Sequence, residues 1–214
     1  MTRMLAALAL LAAAVGPAAL AEGDASGDFD YYVLSLSWSP TWCALEGDDR
    51  RSPQCADGTG FGFVLHGLWP QYEDGWPSYC RSAGREATRA ETAAMADIMG
   101  TSGSAWHQWQ KHGRCSGLSA ADYFRLARLA YDRVNRPGVL RDLGREVTLP
   151  ASVIEDAFIE ANPDLVPDQI TITCRDRRIQ EVRLCLTRDL QPRRCGLDVI
   201  RDCALRDAVL SPVR

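Results

Sequence analysis

Three histidines and one lysine are all that this 214-residue chain has of those types, and they sit in two short aromatic-rich stretches. His107, Lys111 and His112 lie in SAWHQWQKHGRCSG, residues 104–117; His66 lies in GFGFVLHGLWPQY. An isolated histidine is usually a packed or surface residue. The gathering of every histidine and the single lysine into two segments argues against that reading for the set as a whole.

Three chemistries use such groups. A zinc site wants converging ligands, but His107 and His112 are five positions apart rather than the four of H-E-x-x-H, and the cationic Lys111 between them opposes a metal. A serine hydrolase needs a nucleophile elbow, and G-x-S-x-G does not occur. Phosphoryl transfer within RNA needs one imidazole to remove the 2′-hydroxyl proton and another to protonate the departing 5′-oxygen. It also needs cations to stabilise charge building on the phosphate. The three histidines and the lysine supply those parts.

These residues must be positioned by the surrounding elements. On a helix, His107, Lys111, Gln108 and His112 fall at roughly 0°, 40°, 100° and 140°, on one flank, with Trp109 and Trp106 at roughly 200° and 260°. The wheel predicts a helix anchored in the core by both indoles, with the polar side chains facing a cleft. Gly113 suits its C-cap, and Cys115 is placed to tie that end down. His66 is expected to project from a strand over residues 61–69, ended by Gly67 and Pro70. Strand character also marks residues 29–40, a loop residues 41–60, and a helix residues 86–99, with a break at 100–103. Residues 120–135 form a helix capped by Ser119, with Asp122 in a capping-box-like position and Pro137-Gly138 as its stop. Ser152 and Glu155 read as a capping box opening a helix to Ala161. QITITC and IQEVRLCL alternate around an arginine-rich turn as a hairpin would. This mixture argues α+β with an antiparallel sheet.

Residues 1–21 have a basic start, a Leu/Ala run and an A-x-A-like ending, so they are expected to be a signal peptide preceding one domain over residues 22–214. Export, periplasmic or extracellular, makes the eight cysteines a disulfide framework, with about 105 possible pairings. The formal charge is −4. An acidic chain that binds nucleic acid must do so through a local positive site. Lys111 is notable in a chain that otherwise uses arginine, because a compact ammonium differs from a planar fork.

FVLHGLWP and HQWQKHGRC resemble the two active-site segments of the ribonuclease T2 family, and YYVLSLSWSP, Cys80 and the closing cysteine cluster extend the resemblance over most of residues 29–203. The resemblance implies helices packed on an antiparallel sheet and endonucleolytic cleavage of single-stranded RNA through a 2′,3′-cyclic phosphate. The protein would be a monomer with no cofactor, no metal and no membrane association once the leader is removed. By matching position it implies His66 as general acid, His112 as general base, and His107 with Lys111 as stabilisers of phosphate charge. Gln108 stands where the family usually has a glutamate, keeping a carbonyl while losing the charge. Trp69, Gln71 and Tyr72, just after the first segment, are expected to line a base site. The resemblance also favours disulfides Cys80–Cys115, Cys174–Cys203 and Cys185–Cys195, leaving Cys43 with Cys55. The alternative to an enzyme is a catalytically silent member of the same fold that binds RNA or a protein partner.

Overall fold

A computed structural model of the chain describes residues 23–82 and 84–214; the expected signal peptide lies outside them. β1 (Tyr31–Trp38) is followed by the short helix α1 (Ser39–Trp42), and β2 (Phe63–Gln71) leads to α2 (Arg89–Ala93), α3 (Ala96–Met99) and α4 (Ser102–Lys111). Then come α5 (Ala120–Arg133), α6 (Gly138–Arg141), β3 (Val147–Leu149) and α7 (Ser152–Ala161). β4 (Ile170–Arg175), β5 (Arg178–Leu186) and β6 (Ala208–Leu210) close the chain. The strands form one sheet in the order β2-β1-β5-β6-β3, with β4 also paired to β5. It is antiparallel except for a single parallel contact between Arg178 and Val209.

The alternation expected of a half-buried sheet decides its two faces. Leu34, Leu36 and Trp38 of β1, with Val182 and Leu184 of β5, pack against the helices, meeting Tyr123 and Phe124 of α5 and Ile154 and Phe158 of α7. Tyr31, Val33 and Cys185 point the other way, into a smaller cluster with Cys195 and Val199. All eight cysteines are paired, as Cys43–Cys55, Cys80–Cys115, Cys174–Cys203 and Cys185–Cys195. The β4–β5 hairpin turns through Asp176 and Arg177, both with positive φ, the conformation that matches the right-handed twist of the strands.

Several boundaries differ from expectation for local reasons. β2 continues through Gly67 and Pro70 to Gln71, because it is an edge strand and a proline there costs no ladder bond. Residues 41–60 are partly helical: Pro40 sits in the first turn of α1, where proline is tolerated, and a wider π-helical turn follows over Cys43–Gly47. The helix expected over 86–99 splits into α2 and α3 around Met95, which turns into the core. The break at 100–103 is shorter than expected, since Thr101 caps α4 by accepting from the Ser104 amide. Ser119 caps α5 as expected. Ser152 forms no cap, because Ala151 before it is already in helical conformation rather than the extended one a cap requires.

The largest correction concerns α4. Trp109 is buried but Trp106 is 42% exposed; the buried side is Ala105, Gln108 and Trp109, joined by His112, a rotation of roughly 80° from the face the two indoles suggested. His112 is not within the helix but is its C-cap residue, at φ −122° and ψ −44°. Gly113 opens a 3-10 turn (Gly113–Ser116) and is required for close approach rather than for a left-handed cap. A Cβ there would lie 2.6 Å from Trp109 Cε3 and 2.8 Å from Tyr123 Cε1. Gly113→Ala is therefore expected to destabilise the fold by the ~1–3 kcal/mol typical of overpacking. Urea unfolding measures this, and an unchanged midpoint would show that the two rings yield freely.

Candidate active site

His66 owes its position to a β-bulge. Ser35 of β1 pairs with Gly67 and Leu36 pairs with Leu65, so His66 is the extra residue left without a partner. The insertion keeps Leu65 and Leu68 on the helix side of the sheet while His66 and Trp69 both reach the opposite side. Without it, a strict period of two would send Leu68 to the face of His66.

Beside His66 stands a group that inspection of the histidines did not reveal. Glu181 of β5 is 2% exposed, and its Oε1 lies 2.5 Å from His66 Nδ1. Its Oε2 accepts from Nε and Nη2 of Arg183, at 2.9 and 2.6 Å. Burial by itself raises the pKa of Glu181, but the His66 hydrogen bond and the charges of His66 and Arg183 outweigh it and bring the group down to about 2. A buried carboxylate is tolerable only when both oxygens are so engaged. The arrangement presents Nδ1–H of His66 to the carboxylate and leaves Nε2 free of that contact. Two charged residues spaced by two in an apolar strand were the available sequence signal, since they must share a face.

Trp69 stands between the imidazoles. Its ring is edge-on to His66 (centroids 5.1 Å, 77°) and stacked on His112 (5.1 Å, 29°), and Arg183 Cζ lies 5.4 Å from its centroid. Trp69 Nε1 donates to Gln108 Oε1 at 2.7 Å. Gly67 makes room for that bond, because a Cβ there would fall 2.2 Å from Trp69 Nε1 and 2.6 Å from Gln108 Oε1.

His112 is 5% exposed and its Nδ1 is buried without a hydrogen-bond partner. Burial, with smaller contributions from Lys111, His66 and His107, lowers its pKa to about 3. His107 is also lowered, again by burial and then by Lys111 and His66, although it sits at the exposed rim. The end of α4 is fixed twice: the Tyr79 amide donates to the Lys111 carbonyl at 2.8 Å, and Cys80 is bridged to Cys115.

His66, Trp69, Gln71, His107, Gln108, Lys111 and His112 all line one cleft of about 420 Å³. Tyr72 does not; one position beyond Gln71 the strand alternation turns it back towards the helix-side core. The exposed Trp76 and the half-buried Asp198, neither singled out from the sequence, line the same cleft. Among the described residues no group of three or more His, Cys, Asp or Glu is placed to hold a metal ion. Among the same residues no helix is long and apolar enough to cross a membrane.

Comparison with known proteins yields consistent findings. The sequence model of the ribonuclease T2 family matches residues 29–195. A ribonuclease of Aeromonas hydrophila is 45% identical over 134 residues, 61% of this chain and 58% of that protein. Intracellular ribonuclease LX of Solanum lycopersicum is 35% identical over 121 residues, 48% of this chain and 47% of its own length. The chain spans about half the length of the curated relatives it matches. The solved RNase-related protein from Calystegia sepium has the same fold, with a TM-score of 0.64 at 22% identity, covering 86% of this chain and 97% of that one.

The Glu181 cluster makes an acid-stability prediction. Its folded pKa of about 2 lies below its ordinary 4.5, so its contribution is complete above pH 4.5 and is lost as pH falls towards 2. Urea midpoints measured between pH 5 and pH 2, at roughly the range that linkage requires, should fall steeply in the native chain and less steeply in Glu181→Gln. Parallel curves would mean that the carboxylate is not the group titrating.

Proposed function

The chain belongs to the ribonuclease T2 family, and from that premise we propose that it is an exported endoribonuclease. It cleaves single-stranded RNA by acid-base transphosphorylation through a 2′,3′-cyclic phosphate, without metal. The observation that carries this reading is the contrast between two histidines in one cleft. The Nδ1 of His66 meets a buried carboxylate, so its imidazolium has a partner. The Nδ1 of His112 is buried with none, so its neutral form is favoured. This difference in hydrogen-bonding partners supports His66 as the acid and His112 as the base.

His112, neutral, takes the proton of the 2′-hydroxyl, and the resulting oxyanion attacks the adjacent phosphorus. The bond to the 5′-oxygen breaks as the His66 imidazolium protonates that oxygen. The proton lost from the 2′-hydroxyl is then on His112, and one proton has left His66. Water addition to the cyclic phosphate runs the roles in reverse. Lys111 and His107, at the cleft rim, stabilise charge on the non-bridging oxygens. Gln108 holds Trp69, and Trp69 stacks on the base, so Gln108 acts on His112 as a positioning residue. Gln71 and Trp76 offer an amide and an exposed indole for a base.

RNA cleavage in EDTA tests the whole scheme; loss of activity restored by a divalent ion refutes it. Bound but uncleaved RNA would instead favour the catalytically silent reading. His66→Ala and His112→Ala should each lower kcat/KM by ~10²–10⁴-fold. A substrate with a good leaving group should rescue the first more than the second, and equal rescue would overturn the assignment.

The pH profile follows from His112. A base works only when unprotonated, so a pKa lowered to about 3 places the acidic limb of kcat/KM well below the ordinary histidine value of 6.5. Gln108→Glu keeps an acceptor for Trp69 but adds a negative charge near His112, which favours the imidazolium and should shift the limb to higher pH. Coincident limbs would show that position 108 acts through hydrogen bonding alone.

A further inference from the structure

A second and larger cleft, about 840 Å³, opens from the far side of His66; it shares His66, His107, Gln108, Gln180 and Glu181 with the first but does not reach Lys111 or His112. Its outer wall carries Arg50 and Arg51, from the loop closed by the Cys43–Cys55 disulfide, and Arg175, from the end of β4. Arg50 and Arg175 share a single carboxylate, Glu46, at 2.8 and 2.5 Å, while Asp176 lies 3.9 Å from Arg175 Nε. Arg51 has no ionic partner among the described residues and is held at a positive φ of 50°. Asp49 shares the loop but does not line the cleft, and Asp48 is engaged by Arg214. The loop is thus fixed at its base, and the cleft lining carries three guanidinium groups, Arg50, Arg51 and Arg175, against the carboxylates of Glu46 and Glu181, on a chain whose formal charge is −4.

Resting on the ribonuclease reading, we propose that Arg51 and Arg175, on the outer wall of this cleft, engage the phosphate on the 3′ side of the leaving nucleoside. The direction follows from the chemistry. The leaving 5′-oxygen is beside His66, and the 2′-hydroxyl being deprotonated is beside His112. A cleft that includes His66 and excludes His112 therefore lies on the leaving-group side. Guanidinium forks suit a phosphate at its far end. Bound there, the downstream phosphate draws the leaving nucleoside past the acid, and the local positive site that an acidic RNA-binding chain needs is met outside the catalytic cleft itself.

The test adds one phosphate at a time. For whichever dinucleotide NpN is cleaved fastest, kcat/KM is compared with that of NpNp, bearing a 3′-phosphate on the leaving nucleoside, and pNpN, bearing a 5′-phosphate. The native chain should prefer NpNp to NpN by about tenfold, the scale of a charge-assisted contact, and should show no such preference for pNpN. In Arg51→Asn/Arg175→Gln the NpNp-to-NpN ratio should fall towards one; asparagine keeps the left-handed backbone at position 51. If the double variant does not fold, Arg51→Asn alone, whose guanidinium leaves no ionic partner behind, should still lower the ratio. A ratio near one in the native chain, a ratio that survives both variants, or an equal gain from pNpN would overturn the proposal. Binding of the uncleavable 2′-deoxy analogues keeps the two readings apart. If no dinucleotide is cleaved, the ribonuclease reading fails, while the ratio of Kd values for the deoxy NpN and NpNp still decides whether the arginines hold a phosphate.

Discussion

A carboxylate at 2% exposure is an expense to any fold unless both its oxygens are taken up, and Glu181 has His66 on one and Arg183 on the other. Much of the cleft depends on that arrangement. The pair ties β2 to β5 across the intervening β1, so the edge strand carrying His66 is held to the middle of the sheet by a side-chain contact as well as by its ladder. Because the His66 hydrogen bond and charge, and after them Arg183, outweigh the effect of burial, the carboxylate stays ionised although it is almost fully buried. Arg183 also lies against Trp69, extending the cluster towards His112.

From that anchor the two halves of the cleft are joined by Trp69. One edge of the indole donates to Gln108 of α4, its face stacks on His112, and its other side stands edge-on to His66. Positioning of the two imidazoles thus passes through one rigid ring with two torsions, and Gly67 is the space that ring and its hydrogen bond occupy. A third constraint acts at the end of α4. Gly113 lets Trp109 and Tyr123 close over the backbone, and the Cys80–Cys115 bridge holds the turn that aims His112 inward. The helix end, the bulge and the buried carboxylate are separate devices that converge on one cleft.

Charge is unevenly placed around the clefts of this acidic chain. The cleft between His66 and His112 has little net positive charge, since Arg183 is committed to Glu181 and Lys111 is its only lysine. The arginines of the neighbouring cleft are drawn from the disulfide-closed 43–55 loop and the end of β4, which only the fold brings together. Gathering positive charge on one cleft wall, rather than over the surface, limits non-specific attraction while keeping a local field.

The sequence by itself determined what depends on residue type and on periodicity within a segment. The three histidines and Lys111 stand out by rarity and clustering; β1, the β4–β5 hairpin and α5 follow from alternation, turn residues and the Ser119 cap. The mixture of helical segments with a hairpin argued the α+β class, and the family resemblance added the cysteine pairing. Tertiary structure decided whatever depends on segments meeting. Glu181 lies 115 residues from the histidine it orients, and no local pattern joins them. Wheel geometry put both indoles of α4 in the core, yet the helix turns so that Ala105, Gln108 and Trp109 are buried, because Trp69 offers Gln108 a hydrogen bond and α5 offers Trp109 a place between Tyr123 and Phe124. His66 reaches the cleft through a bulge, a register shift that exists only between two paired strands and therefore cannot be read from either strand alone.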